Sequence, residues 1–334
     1  MNSRTFRLFL MLLCFAQLLT ACGNKEASTE DKDEAANQAA DTAQYSIVRE
    51  NHLDADGNII NIIDSKYDAD GVLRRIEEHY PGASESHRWA LYEYDELGRL
   101  TIVRSEIDSD FSGYTTRFEY EGDSNRVSKK TMFGEIWNYA YDEAGRMIRE
   151  EYERENSKAH PDCGYIYVYE WDGDLLMKMI VYKPTKLNRS TGYYSYPKDD
   201  SGNMKEEYHI DYSYDDQGNL LHEETLYGTT LNIAKDYTLN SDGLITETNC
   251  TYYNDMGYEQ LLNAKYTYDE YGNELEALNT YTNDKQRYFK HEYDDQNREI
   301  SYRCGEVGED TVEDVDGYSC WYTYEYISQD GVTE

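Results

Sequence analysis

Tyrosine pairs are the feature of this sequence best suited to binding chemistry. The chain has 36 tyrosines, and many stand two residues apart, as in Tyr92-Glu-Tyr94 and Tyr139-Ala-Tyr141. In a strand this spacing places both rings on one face of a sheet. The rings can stack in ladders that stabilise the sheet, or stay accessible and bind glycans or peptide strands, because they combine an apolar body with a polar tip. The candidate ligand-binding residues on the second interpretation are Trp89, Trp137, Trp171, Trp321, Tyr94 and Tyr141.

Carboxylates are the second abundant group. The chain has 67 Asp and Glu against 32 Lys and Arg, a formal net charge of -35. This charge argues against binding nucleic acid or anionic lipid through the folded part, because phosphate repels it. Adjacent acids such as Asp215/Asp216 and Asp294/Asp295 arise by chance in so acidic a chain, so none is singled out for acid–base catalysis. We expect no enzyme, and a carboxylate-based glycoside hydrolase is the least favoured alternative.

Two short acidic segments superficially resemble calcium loops. These are Asp54-Ala-Asp-Gly-Asn58 and Asp68-Ala-Asp-Gly71. Both lack the third acid and the distal bidentate Glu that such loops need, so hairpin turns explain them better. We therefore expect no cofactor, with Ca²⁺ as the less favoured alternative.

Asp-x-x-Gly motifs after the tyrosine pairs indicate β-hairpins. Asp at the first position of a type I turn can accept hydrogen bonds from the following backbone, and Gly at the fourth supplies a positive φ. A phrase repeated every few tens of residues predicts a repeat architecture. We therefore expect an all-β fold, an elongated antiparallel meander of repeated β-hairpins in an open or curled sheet. The predicted turn residues are Asp95, Gly98, Asp142, Gly145, Asp215, Gly218, Asp269 and Gly272.

The repeated phrase resembles the YD repeat of the Rhs/YD-repeat family. It stands as Tyr94-Asp-Glu-Leu-Gly-Arg-Leu100, and nearly so from Tyr141 to Met147. The resemblance covers about residues 52 to 326 and implies strand-rich sheets that can curl into a spiral or a hollow shell. Large members enclose a toxic C-terminal domain, and others are surface adhesion or carbohydrate-binding proteins. Only a few tens of residues follow the last repeat, too few for a toxin domain, so the resemblance implies a surface protein and not a toxin-bearing member.

The N-terminus resembles a bacterial lipoprotein signal. A short basic region precedes the apolar stretch Leu8–Leu19, which has the length of a signal peptide and is too short to span a membrane. Leu19-Thr-Ala-Cys-Gly23 resembles the lipobox, which implies cleavage between Ala21 and Cys22 and lipid attachment at Cys22. An ordinary secretory signal is the alternative. Several acyl chains on one residue give stable anchoring, so we expect a protein lipid-anchored to the cell membrane on the extracytoplasmic side of a bacterial envelope.

These features divide the chain into three parts. Residues 1–21 are the predicted signal peptide, and residues 22–45 are the lipidated cysteine with a flexible acidic tether. The tether lacks aromatic and large aliphatic side chains until Tyr45, so it cannot offset the entropy cost of ordering. Residues 46–334 form the predicted YD-repeat-like β domain.

Four cysteines remain in the exported part. An even number in an exported chain suggests disulfides, and four allow three connectivities. We favour Cys304–Cys320, which flank a single acidic hairpin loop, with Cys163–Cys250 second. Free thiols are the alternative. The absence of Cys-x-x-Cys and of a His at ligand spacing from a Cys argues against zinc.

The leading functional hypothesis is a non-catalytic cell-surface lipoprotein whose β domain binds glycans or cell-wall material. The alternative is a structural or protein-interaction scaffold, in which a sheet edge or an aromatic ladder docks another envelope protein. An accessible concave row of Tyr and Trp would favour the first. Buried aromatic side chains with one exposed edge strand would favour the second.

Overall fold

The computed structural model describes residues 45–54, 56–82, 88–107, 111–154, 164–187, 194–253, 259–281, 284–307 and 320–328. The predicted signal peptide, Cys22, most of the tether and Cys163 lie outside these residues. The chain divides into two units, and the larger comprises Gln44–Asp108 and Gly113–Glu334. The smaller comprises Met1–Ala43 and Ser109–Ser112, and only Phe111 and Ser112 of it are described. The fold below is that of the larger unit.

The described residues form strands and turns, and none of them forms a helix long and apolar enough to cross a membrane. The strands in chain order are β1 (Ser46–Leu53), β2 (Ile59–Tyr67), β3 (Leu73–His79), β4 (Arg88–Tyr94), β5 (Leu100–Ile107), β6 (Phe111–Tyr120), β7 (Val127–Met132), β8 (Glu135–Tyr141), β9 (Met147–Arg154), β10 (Ile166–Asp172), β11 (Leu175–Tyr182), β12 (Lys186–Leu187), β13 (Tyr194–Ser195), β14 (Tyr208–Tyr214), β15 (Leu220–Tyr227), β16 (Thr230–Leu239), β17 (Ile245–Tyr253), β18 (Glu259–Tyr268), β19 (Glu274–Tyr281), β20 (Gln286–Tyr293), β21 (Glu299–Glu306) and β22 (Cys320–Ile327).

Twenty of these strands form one closed antiparallel barrel, and β12 with β13 forms a separate two-stranded ribbon. Each barrel strand pairs with its neighbours along the chain, and β11 pairs with β14 across the ribbon. The ring closes because β1 pairs with both β2 and β22. At this seam the register runs from Ile47 opposite Ile327 to His52 opposite Tyr322.

The prediction of an all-β fold is confirmed, but the open or curled meander is wrong. The chain does meander hairpin by hairpin, and its first and last strands then pair with each other. An open sheet leaves two rows of unpaired backbone N–H and C=O groups at its edges, and closure satisfies both. Because hairpin motifs specify only local pairs, they do not state whether the accumulated twist brings the two ends together.

The Asp-x-x-Gly turns follow the hydrogen-bonding scheme of a capped hairpin. Asp95 Oδ1 accepts hydrogen bonds from the N–H groups of Leu97 at 3.0 Å and Arg99 at 2.9 Å. Gly98 has φ of 74° and donates its N–H to the Asp95 carbonyl. The register then shifts between Glu93 and Tyr94, which leaves one extra residue in β5. A bulge of this kind turns every later side chain of the second strand to the opposite face.

Alternating strand directions gather most of these turns at one end of the barrel, which we call the turn rim. The turns after β2, β4, β8, β14, β16, β18 and β20 all share the hydrogen bond from the fourth turn residue to the first. Asn297, with φ of 64°, takes the place of glycine in the last of them. β1 also begins at this rim, because Ser46 lies opposite Tyr67 beside the Asp68 turn.

The two faces of the barrel wall differ in chemistry. Residues directly opposite each other in an antiparallel pair point to the same side, so the registers assign each strand residue to a face. One face carries most of the strand tyrosines, as where Tyr139 lies opposite Glu150, and the other carries charged pairs, as where Lys290 lies opposite Glu276. Tyr182 and Tyr288 are exceptions on the charged face. Exposed strand residues concentrate on the charged face, among them Arg117, Glu119, Ser213, Asp236, Thr238, Lys265, Glu276 and Lys290.

The tyrosine face is the inner one. Curvature crowds side chains on a concave face and separates them on a convex one, so the inner side chains are the less exposed. Twenty strands spaced about 4.8 Å apart give a circumference of about 95 Å. Barrels of that size enclose a lumen that side chains of the wall line without filling. The tyrosine face includes most of the buried apolar side chains, namely Ile76, Val103, Val181, Cys250, Ala264, Ala277 and Cys304.

A disulfide joins Cys304 of β21 to Cys320 of β22, the pair favoured from the sequence. Cys250 carries a free buried thiol, and its predicted partner Cys163 lies outside the described residues. The disulfide closes a loop across a sequence separation of 16 residues. Such a loop constrains the unfolded chain by about 3 kcal/mol.

Reduction of this disulfide is therefore expected to lower the free energy of unfolding by about 3 kcal/mol. Denaturant unfolding of the protein with and without reductant measures the loss. A Cys304→Ser/Cys320→Ser variant should match the reduced protein and be insensitive to reductant. Equal stability of the oxidised and reduced proteins would contradict the prediction.

Candidate functional site on the inner barrel face

At the turn rim, aromatic side chains near the ends of eight strands hydrogen-bond to the strand that precedes each of them in the sheet. We call these hydrogen bonds the rim staples. The last aromatic residue of each of these strands donates a hydrogen bond to the carbonyl of an initial residue of the preceding strand in the sheet, at 2.6 to 3.2 Å. Six of the eight donors end a Tyr-x-Tyr or Tyr-x-Trp pair, whereas Tyr120 ends Phe-x-Tyr and Tyr293 ends His-x-Tyr. In a sheet the diagonal neighbours lie within reach of long aromatic side chains, which explains this geometry. The donor and acceptor pairs are Tyr94 and Leu73, Tyr120 and Leu100, Tyr141 and Val127, Trp171 and Met147, Tyr214 and Leu176, Tyr268 and Ile245, Tyr293 and Glu274, and Tyr326 and Glu299.

The arginine of the Tyr-Asp-x-x-Gly-Arg phrase links successive turns. Arg99 Nε donates to Asp95 Oδ2 at 2.7 Å, and the guanidinium lies over the ring of Tyr120 at 4.5 Å. Arg99 Nη1 also donates to the carbonyls of Gly122 and Ser124 in the next rim turn. The Tyr, Asp, Gly and Arg of the phrase therefore each stabilise the rim, either within a turn or between neighbouring hairpins.

Loss of one rim hydroxyl is expected to cost measurable stability. Tyr94→Phe keeps the packed ring but leaves the Leu73 carbonyl without its donor, so the free energy of unfolding should fall by about 1–2 kcal/mol. Urea unfolding measures the change. Tyr271→Phe is the matched control, because the Tyr271 side chain is 73% exposed and should be neutral. Equal effects of the two substitutions would contradict the staple.

Deeper in the barrel, Glu150 of β9 lies between tyrosines of both neighbouring strands. It stands opposite Tyr139 and opposite Tyr167, and Tyr169 Oη donates to its Oε2 at 3.3 Å. Burial raises the pKa of the Glu150 carboxyl above its ordinary value, while the hydrogen bond from Tyr169 opposes the rise. Burial, together with nearby charge, also raises the pKa of Tyr167 to about 12. The cluster is thus a partly desolvated acceptor surrounded by phenol groups.

Glu223 of β15 occupies the equivalent place in the second half of the chain. It lies opposite Tyr212 and opposite Lys235. Lys235 Nζ donates to its Oε2 and Tyr237 Oη to its Oε1, both at 2.9 Å. Burial raises the pKa of Tyr212 to about 12, with the Glu223 charge contributing.

A third cluster crosses the seam of the barrel. His52 Nε2 lies 2.5 Å from Glu50 Oε1, and Glu50 stands opposite Tyr324. Burial and the Glu50 charge raise the pKa of Tyr324. The His52 ring lies 4.3 Å from the ring of Tyr322. Carboxylate acceptors and aromatic rings therefore alternate on the inner face here as well.

The predicted ligand-binding residues lie on both faces. Trp137 lies on the inner face, 5.3 Å from Tyr152 and with Lys130 Nζ 4.6 Å above its ring. Tyr94, Tyr141 and Trp171 are also on the inner face but belong to the rim staples. Trp89 and Trp321 lie on the outer face, each beneath an arginine, with centroid distances of 5.9 and 5.3 Å.

Sequence reasoning missed Glu50, Glu150 and Glu223. The sequence did contain a signal for the last two. Each lies in a strand that follows a turn with a bulge, and the bulge places the residue three positions after the start of that strand on the inner face. Glu150 follows Met147 by three positions, and Glu223 follows Leu220 likewise. Glu50 precedes its turn, so this rule does not reach it.

The acidic turns use their carboxylates as hydrogen-bond acceptors. Asp54 Oδ1 accepts the N–H groups of Asp56 and Asn58, and Asp68 Oδ1 those of Asp70 and Val72. Within the described part of the chain, no group of three or more His, Cys, Asp or Glu side chains could hold a metal ion.

Comparison with known proteins identifies no family. No protein-family model matches the sequence, and no curated protein is significantly similar to it. Solved structures that match include a TcdB2-TccC3 toxin complex, at 13% identity and a TM-score of 0.38 over 93% of this chain and 18% of that one. A Photorhabdus luminescens Tc holotoxin pore matches at 15% identity and a TM-score of 0.34 over 85% of this chain and 17% of that one. A porin-like protein from Bacteroides uniformis matches at 12% identity and a TM-score of 0.35 over 85% of this chain and 97% of that one. These TM-scores are below 0.5, so the likenesses assign no function.

Proposed function

We propose that this chain is a lipid-anchored, YD-repeat-like protein on the extracytoplasmic side of a bacterial envelope, and that its barrel binds a glycan or cell-wall polymer without catalysing a reaction. The observation that carries the proposal is the placement of the tyrosines on the inner face, with Glu50, Glu150 and Glu223 among them. Partly buried aromatic rings on a concave face support the glycan hypothesis, which requires an aromatic surface that a ligand can reach.

The inner face has the two groups that sugar recognition uses. Aromatic rings offer apolar faces for the C–H surface of a sugar, and phenol and carboxylate oxygens offer hydrogen-bond partners for its hydroxyls. The clusters keep some accessibility, since the side chains of Glu50 and His52 are 29% and 23% exposed. A ligand site needs such a combination of apolar lining and a few placed polar groups.

The outer face supports attachment through a lipid rather than through the wall of the barrel. It carries ion pairs such as Arg104–Glu93 and Lys290–Glu276. Spanning barrels instead present an apolar band to the lipid. In the proposal the acyl chains at Cys22 hold the protein at the membrane, and the tether joins the barrel at the turn rim, where β1 begins.

The rival proposal of a scaffold that docks by a sheet edge has less support. β1 and β22 are the first and the last of the described barrel strands, and they pair with each other. Strand addition needs an unpaired edge, which this pairing removes.

Binding to isolated cell walls and to a panel of polysaccharides tests the proposed function. The protein should be retained saturably, and Trp137→Ala should weaken retention by about fivefold or more, because it removes an inner aromatic face worth about 1 kcal/mol or more. Trp89→Ala is the matched control, since it removes an outer ring of the same type and should leave retention unchanged. Circular dichroism verifies that both variants are folded.

Two results would overturn the proposal. One is the absence of retention on any wall or glycan. The other is equal loss of retention in the Trp89→Ala and Trp137→Ala variants, which would place binding outside the inner face.

A further inference from the structure

Five rings form a continuous aromatic ladder across the seam of the barrel. The ladder crosses β20, β21, β22 and β1 on the inner face. Successive ring centroids are 6.4, 4.8, 5.6 and 4.3 Å apart. We call this set the seam ladder, and its members in order are Tyr293, His291, Tyr302, Tyr322 and His52.

Carboxylates flank the seam ladder at both ends. Glu299 Oε1 lies 2.6 Å from His291 Nδ1, and Glu274 Oε1 lies 3.8 Å from His291 Nε2. At the other end Glu50 Oε1 lies 2.5 Å from His52 Nε2. Their side chains are 31%, 34% and 29% exposed, so a ligand in the lumen can reach them.

The charge of this surface is negative. Burial, together with nearby charges that include those of Glu299 and Glu274, raises the pKa of the Tyr302 phenol to about 12, and the charge of Arg287 opposes the rise. The three carboxylates of Glu50, Glu274 and Glu299 outnumber this one arginine around the ladder. The net charge of the whole chain, -35, reinforces the sign.

Resting on the proposed function, we infer that the seam ladder is the subsite for a polysaccharide that carries free amino groups, with its chain running across the strands. Ring faces attract ammonium groups as well as sugar C–H surfaces, and the carboxylates pair with the ammonium charge. A polysaccharide rich in carboxylate or sulfate has the same negative charge as this surface and is repelled by it. The row of rings runs from strand to strand, which sets the direction of the bound chain.

The test compares two oligosaccharides with the same backbone, glucosamine oligomers and fully N-acetylated glucosamine oligomers. Calorimetric titration of the protein at about pH 6, where a primary amine is protonated, gives both affinities. The amine-bearing oligomer should bind about tenfold more tightly, the equivalent of one charge-assisted contact. Added salt should reduce this preference, because screening weakens attraction between exposed charges.

Two variants locate the effect. Glu50→Gln keeps the shape of the side chain and should abolish most of the preference, while Tyr322→Leu should weaken both oligomers by removing the central ring. Glu276→Gln is the matched control, since it neutralises a carboxylate that is 54% exposed on the outer face.

The outcomes separate the subsite from the proposed function. Equal affinity for the two oligomers, unaffected by Glu50→Gln, would overturn the subsite while wall binding stands. Binding of a lysine homopolymer in place of both oligomers would also overturn it, in favour of a basic peptide ligand. Failure of every glycan, together with no retention on walls, would overturn both proposals.

Discussion

A chain that lacks β22 is expected to lose cooperative folding of the whole barrel. β22 (Cys320–Ile327) pairs with β21 on one side and with β1 on the other. Its removal would expose two strand edges, delete the Cys304–Cys320 disulfide and interrupt the seam ladder. In an open meander the terminal strand would pair only once, and its loss would merely shorten the sheet. Size-exclusion chromatography and thermal unfolding should therefore show aggregation or a broad transition at a much lower temperature.

A smaller change at the same end separates closure from its side effects. Cys304→Ser/Cys320→Ser should cost about 3 kcal/mol and keep a cooperative transition. A chain without β22 that still unfolds as sharply as this double variant would contradict the closed barrel.

A disulfide engineered across the seam tests closure without removing anything. Ile47 and Ile327 lie directly opposite each other, and opposite residues have the Cα separation that a disulfide needs. Ile47→Cys/Ile327→Cys should therefore oxidise spontaneously. Ile47→Cys/Ser301→Cys is the control, because β21 lies two strands from β1, about 10 Å away, and cannot bridge. Failure of the first pair to oxidise would contradict the seam.

The sequence indicated the hairpins because their signals are local. Asp95 and Gly98 define a turn within five residues, and Tyr92 and Tyr94 mark the strand before it. Cys304 and Cys320 were also within reach, since they flank a single loop between neighbouring strands. Strand type and local pairing therefore follow from short-range patterns.

Closure and the inner face depend on quantities that no short segment specifies. Ile47 and Ile327 meet only because twist and stagger accumulate over twenty strands. The face of a residue such as Glu223 depends on a bulge that the hairpin motif implies but does not state. The outer position of Trp89 follows from its place opposite Glu77, a long-range register. Placing Trp89 and Trp137 on a single aromatic face required an assumed register between strands. The observed registers put the two side chains on opposite faces.

The stability of the barrel is expected to peak in mildly acidic solution and to fall below about pH 4. The fall comes from the turn aspartates. Their pKa values lie below the ordinary value because each accepts hydrogen bonds from the residue four positions on; burial opposes this effect at all of them, and at Asp269 it is the largest single contribution. A carboxyl group with a depressed folded pKa contributes stability above its unfolded pKa of about 3.9 and loses it as pH falls through the folded value. The contributing residues are Asp54, Asp68, Asp95, Asp142, Asp215, Asp269 and Asp294.

The rise toward mild acid has the opposite sign and comes from the inner face. Burial raises the pKa of Glu150 and of Glu274. Because these groups bind protons more tightly in the folded state, stability increases as pH falls through their folded values and is fully gained below the unfolded value of about 4.3. Protonation also reduces the repulsion within a chain of formal charge -35.

Urea unfolding from about pH 7 to pH 3 measures the profile, and two variants separate its limbs. Glu150→Gln should flatten the rise on the neutral side, because a neutral amide removes the cost of the buried charge. Asp294→Asn should flatten the fall on the acid side, since an amide oxygen still caps the turn, as Asn240 does, but no longer titrates. Asp295→Asn is the matched control, because the neighbouring exposed carboxylate accepts no hydrogen bond from the turn. The contrary result is a stability that declines steadily as pH falls from neutral and that Glu150→Gln does not alter. It would show that the inner carboxylates are solvated, and it would contradict the description of Glu150 as a partly desolvated hydrogen-bond acceptor.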